Sequence, residues 1–219
     1  FSSHRDFQRA LERALRRASV PMAYSGGFTP HPKVSYANSA PTGTASEAEY
    51  VELSVTQRCD PEAVREALDR SLPPGLDVIE VVEADAGPLA ERLEASEWEV
   101  RLPGVTRDEA AAAVDALLAE HEVEVERLFK NGLRRFDARG AVVDARVVTA
   151  ADAPDCAILR MVVRHSTPAV RPDDVLAALR VVAQLVPPSP PQVTRLAQGP
   201  LSDAGTVADP LAAADAGGA

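Results

Sequence analysis

Two prolines flank a histidine behind a pair of glycines, and this sets the tightest backbone constraint in the chain: Tyr24-Ser25-Gly26-Gly27-Phe28-Thr29-Pro30-His31-Pro32-Lys33. Proline holds φ at about −65° and pushes the residue before it out of the α region, so Thr29 and His31 are both expected to be extended. Gly26 and Gly27 permit angles closed to other residues. The stretch reads as a stiff, exposed loop that joins a basic helix to a strand and presents one imidazole and one ammonium. Such a loop can hold contacts to an anion or a carbonyl on a backbone that has already lost its freedom. A proline-rich connector whose histidine faces water is the plainer reading of the same residues.

On either side of the loop the hydrophobic periodicity gives a clear order of elements. Phe7, Ala10, Leu11, Ala14, Leu15 and Ala18 recur at three and four, the mark of one apolar helical face, while Arg5, Arg9, Arg13 and Arg16 line another. Ser3 with Asp6 forms a capping-box-like start, and Val20-Pro21 ends the helix. Met22–Tyr24, Val34–Ala37 and Tyr50–Val55 read as strands, and Asp60-Pro61 opens a helix that Pro73-Pro74-Gly75 stops. Leu76–Val82 is expected to be a further strand. The second half repeats the order: strand Glu97–Leu102, a helix capped by Thr106 and Glu109, strand Glu122–Leu128, a β-rich stretch Phe136–Val148, strand Ala157–Val163, helix Pro172–Leu185 and strand Gln192–Ala197. This order predicts an α+β protein of two tandem ferredoxin-like (split βαβ) domains with antiparallel sheets. They would cover residues 1–85 and 96–198, with 86–95 as linker and 199–219 as a disordered tail poor in large apolar residues.

Charge narrows the function. The net charge of −10 is unevenly spread: residues 1–36 carry +4, residues 127–146 carry +4, and the other 163 residues carry −18. Two basic islands in an acidic chain point to a localised anionic partner. No run approaches the roughly 18 to 20 apolar residues that span a bilayer, so no membrane partner is expected. The two cysteines, Cys59 and Cys156, lie far apart. They read as reduced structural thiols of a cytoplasmic protein and cannot build an iron–sulfur or zinc centre, so no cofactor or metal is expected. The chain begins at Phe1 without Met, and Phe1–Ser3 reads as continuing a strand that starts upstream.

Two blocks of motif then become legible together. Ser3, His4, Asp6 and Arg9 open the basic helix; Tyr24, Ser25, Gly27, Phe28, Pro30, His31 and Pro32 form the loop. Both resemble the radical-SAM-associated domain family of unknown function, found in bacteria fused behind a B12-binding radical SAM enzyme or, in the actinobacterial type, as a separate protein. Arg5 stands where that family more usually has a hydrophobic residue, and Gly26 and Thr29 replace two amides, which leaves an amide-mediated contact without its side chains. The resemblance implies an accessory module whose substrate is RNA or a translation component, with a radical SAM protein or a ribonuclease of the E/G type as partner. The tandem plan is also similar to an RNA-binding superfamily that includes the CRISPR repeat-processing endoribonucleases.

Three functional readings stay open. In an RNA-binding module, Arg5, Arg9, Arg13 and Lys33 contact phosphates and Tyr24 or Phe28 stacks on an unpaired base, with Ser3, His4, Ser25, Gly27 and His31 completing the site and Arg135 and Arg139 extending it. Phe28 could equally be an anchor buried under the loop. In an enzyme, His4, Asp6, His31 and Glu49, with Glu47 nearby, would converge for general acid–base work or for metal binding. In an adaptor, the chain docks on a radical SAM protein, since it has no cysteine cluster for radical chemistry of its own. His121 and His165 are assigned no role.

Overall fold

A computed structural model describes residues 4–84, 87–148 and 155–212. The described chain divides into two compact units, one of residues 4–43, 49–84, 87–90 and 211–212, the other of 44–48, 91–148 and 155–210. The N-terminal elements are α1 (His4–Arg17), β1 (Val34–Ala37), β2 (Ala45–Ser46), β3 (Tyr50–Leu53), α2 (Pro61–Asp69) and the single turn α3 (Leu89–Arg92).

In the first unit α1 buries Ala10, Leu11, Ala14 and Leu15, with Asp6 in its first turn and Arg16 and Arg17 in its last, as the helix dipole favours. Asp60 caps α2 by accepting the Glu62 N–H at 3.3 Å, and Pro61 needs no partner at the first helical position. Leu11, Leu15, Met22 and Leu68 form the core, joined by Phe7, Val51, Val64 and Val78. β1 and β3 pair antiparallel from Val34↔Leu53 to Ala37↔Tyr50.

The expected strand Leu76–Val82 is not formed. Its Val78 N–H donates to Asp69 Oδ1 at 2.8 Å in place of a neighbouring strand, and Ile79 is left exposed. Val78 still packs into the core, so the apolar run serves burial without finding a sheet edge. Among the described residues the first unit therefore holds a two-stranded β1–β3 sheet with isolated bridges Met22↔Val55 and Tyr24↔Pro32, not a second split βαβ sheet.

The second unit follows the expected order closely: β4 (Ala95–Pro103), α4 (Arg107–Ala119), β5 (Glu124–Phe129), β6 (Gly132–Asp137), a 3-10 turn (Arg139–Ala141), β7 (Val142–Val148), β8 (Cys156–Arg164), α5 (Pro172–Ala183) and β9 (Gln192–Gly199). The sheet order is β2-β9-β4-β8-β7, antiparallel except for β2 on β9. Thr106 and Glu109 cap α4 reciprocally, with the Thr106 N–H on the Glu109 carboxylate at 2.9 Å and the Glu109 N–H on Thr106 Oγ1 at 3.3 Å. Trp98, Val100 and Leu102 of β4 pack with Leu159, Met161 and Val163 of β8 against Leu117 of α4 and Leu179 of α5. The other face of β4 carries Glu97 and Glu99, which pair with Arg160 at 3.5 and 2.8 Å, while Arg146 reaches Glu97 at 3.9 Å.

A polar seam fixes residues 44–48 to β9: the Arg195 Nε–H donates to Ser46 Oγ at 3.3 Å and Gln198 Nε2–H to the Ala48 carbonyl at 2.6 Å, both side chains being buried. His165 bridges Ser96 Oγ at 2.8 Å and the Leu93 carbonyl at 2.6 Å, and burial is the main cause that holds its pKa below the ordinary value.

Where composition predicts a disordered tail from residue 199, the described residues to 212 are structured. Leu201 bridges Val207, Ala208 N–H donates to the Pro200 carbonyl at 2.9 Å, and Pro210 is fully buried. Residues 213–219 of that expected tail lie outside the described residues. A Cβ on Gly199 would stand 2.0 Å from the Ala208 carbonyl oxygen. Gly199→Ala is therefore expected to destabilise the fold by about 1–3 kcal/mol, seen as a lower urea midpoint with an unchanged slope.

Candidate functional site

The loop is pinched shut at its base. Ser25 N–H donates to the His31 carbonyl at 2.9 Å, and His31 N–H donates to Ser25 Oγ at 3.0 Å. Below the pinch, Lys33 N–H reaches the Ala23 carbonyl at 2.8 Å, Ala23 N–H the Ser54 carbonyl at 2.7 Å, and Ser54 N–H the Lys33 carbonyl at 3.0 Å, which ties the loop to the β3 end. At the tip Gly27 takes φ +111°, a conformation that a side chain resists. Phe28, for which burial as an anchor was one expectation, is instead fully exposed at 110%. An apolar ring of that size held wholly in water on a braced loop points to a contact surface.

The loop closes over the C-terminal half of α1. Tyr24, Pro30, His31 and Pro32 line a cleft of about 120 Å³ with Glu12, Leu15 and Arg16 of the helix. Tyr24 is half exposed and Arg16 largely so. Arg5, Arg9 and Arg13 are exposed on the helix and form no ion pair among the described residues, and Lys33 is exposed at the loop's foot. Of the predicted site residues Tyr24 and His31 meet at the cleft beside Arg16, while Arg5, Arg9, Arg13, Phe28 and Lys33 belong to the same unit and are exposed. Sequence reasoning misses Glu12 and gives Arg16 no place in the site. Their i, i+4 spacing is visible in the chain, but the return of the loop over that turn is not.

The acid–base constellation does not assemble. His4 lies in the first turn of α1, where Nδ1 pairs with Ser39 Oγ at 3.0 Å, Nε2 with the Gln8 amide at 2.8 Å, and the ring meets Tyr36 edge-on at 5.2 Å. His31 faces residues 12–16, a helical rise of roughly 12–18 Å further along. Glu49 takes the Ala40 N–H at 3.3 Å beside Ser39, so it gathers with His4 and not with His31. Asp6 stands in the first turn of α1, and Ser3 lies outside the described residues. Glu47 belongs to the segment stitched to β9. Among the described residues no three His, Cys, Asp or Glu side chains gather as a metal site.

Most of the second basic island is consumed by the fold. Arg127 pairs with Asp174, donates to the Ala169 carbonyl at 2.9 Å and stacks on Phe129 and Phe136 at 4.6 and 4.9 Å, clamping the β5–β6 hairpin to the start of α5. Arg139, expected to bind phosphate, instead donates to the Val142 carbonyl at 2.9 Å and to the Leu118 carbonyl at 3.4 Å near the end of α4. Arg135 pairs with Glu126 at 2.7 Å, and Arg146 with Asp144. Arg134 lies over Phe129 and, with Lys130 at the turn, makes no ion pair among the described residues. Removing one partner of a buried pair strands the other charge, so Arg127→Ala is expected to cost about 3–5 kcal/mol, whereas Arg134→Ala should cost about 1 kcal/mol or less. Urea unfolding of the two variants checks the contrast.

A family profile described as "Uncharacterized protein conserved in bacteria (DUF2344)" matches residues 1–172, a span that includes α1, the loop and the sheet through β8. Curated proteins give no match. No helix among the described residues is long and apolar enough to cross a membrane. With the profile covering well over half its length, the chain belongs to this uncharacterised family of conserved bacterial proteins.

Proposed function

We propose that this chain is a cytoplasmic recognition module for single-stranded RNA that works beside a separate enzyme. The observation that carries the reading is Phe28, held fully in water at the tip of a loop whose base is hydrogen-bonded shut, on the same unit as the exposed arginines of α1. Unstacked bases bind on aromatic faces, and a positively charged surface tracks the backbone, so an exposed ring and a cation stripe in one unit suit a single strand better than a duplex. Separation of His4 from His31 favours binding over acid–base cleavage by this site. With the separate β5–β6 hairpin set aside, the second unit's β4-α4-β7-β8-α5-β9 order and β9-β4-β8-β7 neighbours support a ferredoxin-like reading for that unit. RNA is better placed on the first unit than on this sheet: β4, β7, β8 and β9 hold one aromatic, Trp98, and it points into the core.

One observation favours a protein partner as well. On the β5–β6 hairpin Leu128 and Leu133 face each other across the strands at 77% and 61% exposure, and among the described residues neither strand pairs outside the hairpin. An exposed apolar pair on an unpaired edge is a docking surface in kind. The family resemblance supplies the partner class, a radical SAM protein or a ribonuclease of the E/G type.

Anisotropy titrations with a labelled single-stranded RNA test the first reading. Phe28→Ala should weaken binding by about 1–3 kcal/mol. Arg9→Ala with Arg13→Ala should flatten the salt dependence by about 0.7 for each phosphate no longer neutralised; unchanged binding in both would move RNA off this surface. Leu128→Ser with Leu133→Ser should abolish co-purification with a co-expressed radical SAM partner and leave the RNA titration as it was. Retention of the partner would remove the hairpin from that interface.

A further inference from the structure

We infer that the cleft beneath the loop selects guanine, because its walls offer the acceptor and donor pairs that guanine, alone of the four RNA bases, matches side by side. The inference rests on the RNA-binding reading above and names the base that the site takes.

Glu12 and Arg16 stand one turn apart on α1 and both line the cleft. The Glu12 carboxylate makes no hydrogen bond among the described residues; its Oε2 lies 4.0 Å from an Arg16 terminal nitrogen. Arg16 Nε–H donates to the Glu12 carbonyl at 3.2 Å, which steadies the guanidinium while its terminal N–H groups stay largely exposed. A carboxylate only accepts, and a guanidinium only donates. Guanine presents two adjacent donors, N1–H and the exocyclic N2–H, with the acceptor O6 beside N1 and N7 beyond it. Two carboxylate oxygens fit the first pair, and an arginine fork fits O6 and N7. Because O6 neighbours N1–H, the two protein groups must lie next to each other, as their 4.0 Å separation places them.

The other bases set a lone pair against the carboxylate. Adenine and cytosine have a ring acceptor beside the amine, and uracil has one N–H between two carbonyls. A polar site left facing the wrong group discriminates strongly. The walls suit a flat ring: Tyr24, half exposed, lines the cleft of about 120 Å³ together with Pro30, His31 and Pro32. Phe28, at the tip of the same loop, is exposed for stacking on a neighbouring base.

The test is an anisotropy panel with labelled oligouridylates that carry one central guanosine, adenosine or inosine, or none. Wild-type chain should bind the guanosine oligomer about tenfold more tightly than the adenosine or plain oligomer, with inosine, which lacks the exocyclic amine, in between. Glu12→Gln replaces one acceptor by a donor and should bring the guanosine-to-adenosine ratio close to one. Equal wild-type affinity for guanosine and adenosine oligomers, with all of them bound, overturns the guanine assignment and leaves the RNA reading standing. No binding of any oligomer overturns both. A ratio that survives in Glu12→Gln overturns the role given to Glu12. The wild-type panel decides on base preference without relying on any variant.

Discussion

Two hydrogen bonds between Ser25 and His31 decide where the ring of Phe28 goes. A phenylalanine on a slack loop folds back onto the nearest apolar surface, since burial gains about 25 cal/mol for each Å² removed from water. Here the pinch closes the loop at its base, Gly27 turns the chain in a conformation other residues resist, and Pro30 and Pro32 stiffen the return. The loop's foot is in turn registered by the Ala23–Lys33–Ser54 ladder, which belongs to the same backbone network as β1 and β3. Exposure of Phe28 is thus set by backbone hydrogen bonds that the ring itself does not make.

The arginines of the chain divide by what surrounds them. On α1 the apolar face is satisfied by Leu11, Leu15 and their neighbours, and Arg5, Arg9 and Arg13 are exposed with no ion pair among the described residues. In the second unit Arg127, Arg139 and Arg195 are drawn inward, where carbonyls, aromatic rings and a hydroxyl engage them, although the buried Arg139 Nε finds no partner among the described residues. Local net charge is the same in the two basic islands, but the charge available to a partner is not. A guanidinium already engaged by a buried carboxylate cannot take up a phosphate without leaving that carboxylate unpaired.

In the second unit the sheet is carried by the alternation of β4, one face of which is core while the other holds Glu97 and Glu99 against Arg160. Those paired charges and the inward Trp98 leave the sheet without the aromatic platform that four-stranded RNA-binding sheets use. The hairpin is the unit's outlying feature: it is anchored through Arg127 and leaves Leu128 and Leu133 exposed. The recognition proposed for the first unit and the docking proposed for the second would draw on different residues.

Local chemistry made much of this legible from sequence. The three-and-four period of α1, the Asp60-Pro61 and Thr106–Glu109 caps, the alternation of β4 and the glycine–proline loop each involve residues close together in the chain, and each element lies where the spacing put it. Tertiary structure alone decided matters of partnership. Leu76–Val82 has strand-forming residues but no edge to join, whereas Ala45-Ser46 finds one on β9, far along the chain. His4 and His31 belong to two motif blocks of one resemblance, yet His4 sits in the first turn of α1 and His31 lies against its last turns; Glu12 and Arg16 share no motif with the loop and line its cleft. Periodicity reports what a residue does to its own helix or strand, but which distant surface covers it depends on the path of the chain between them.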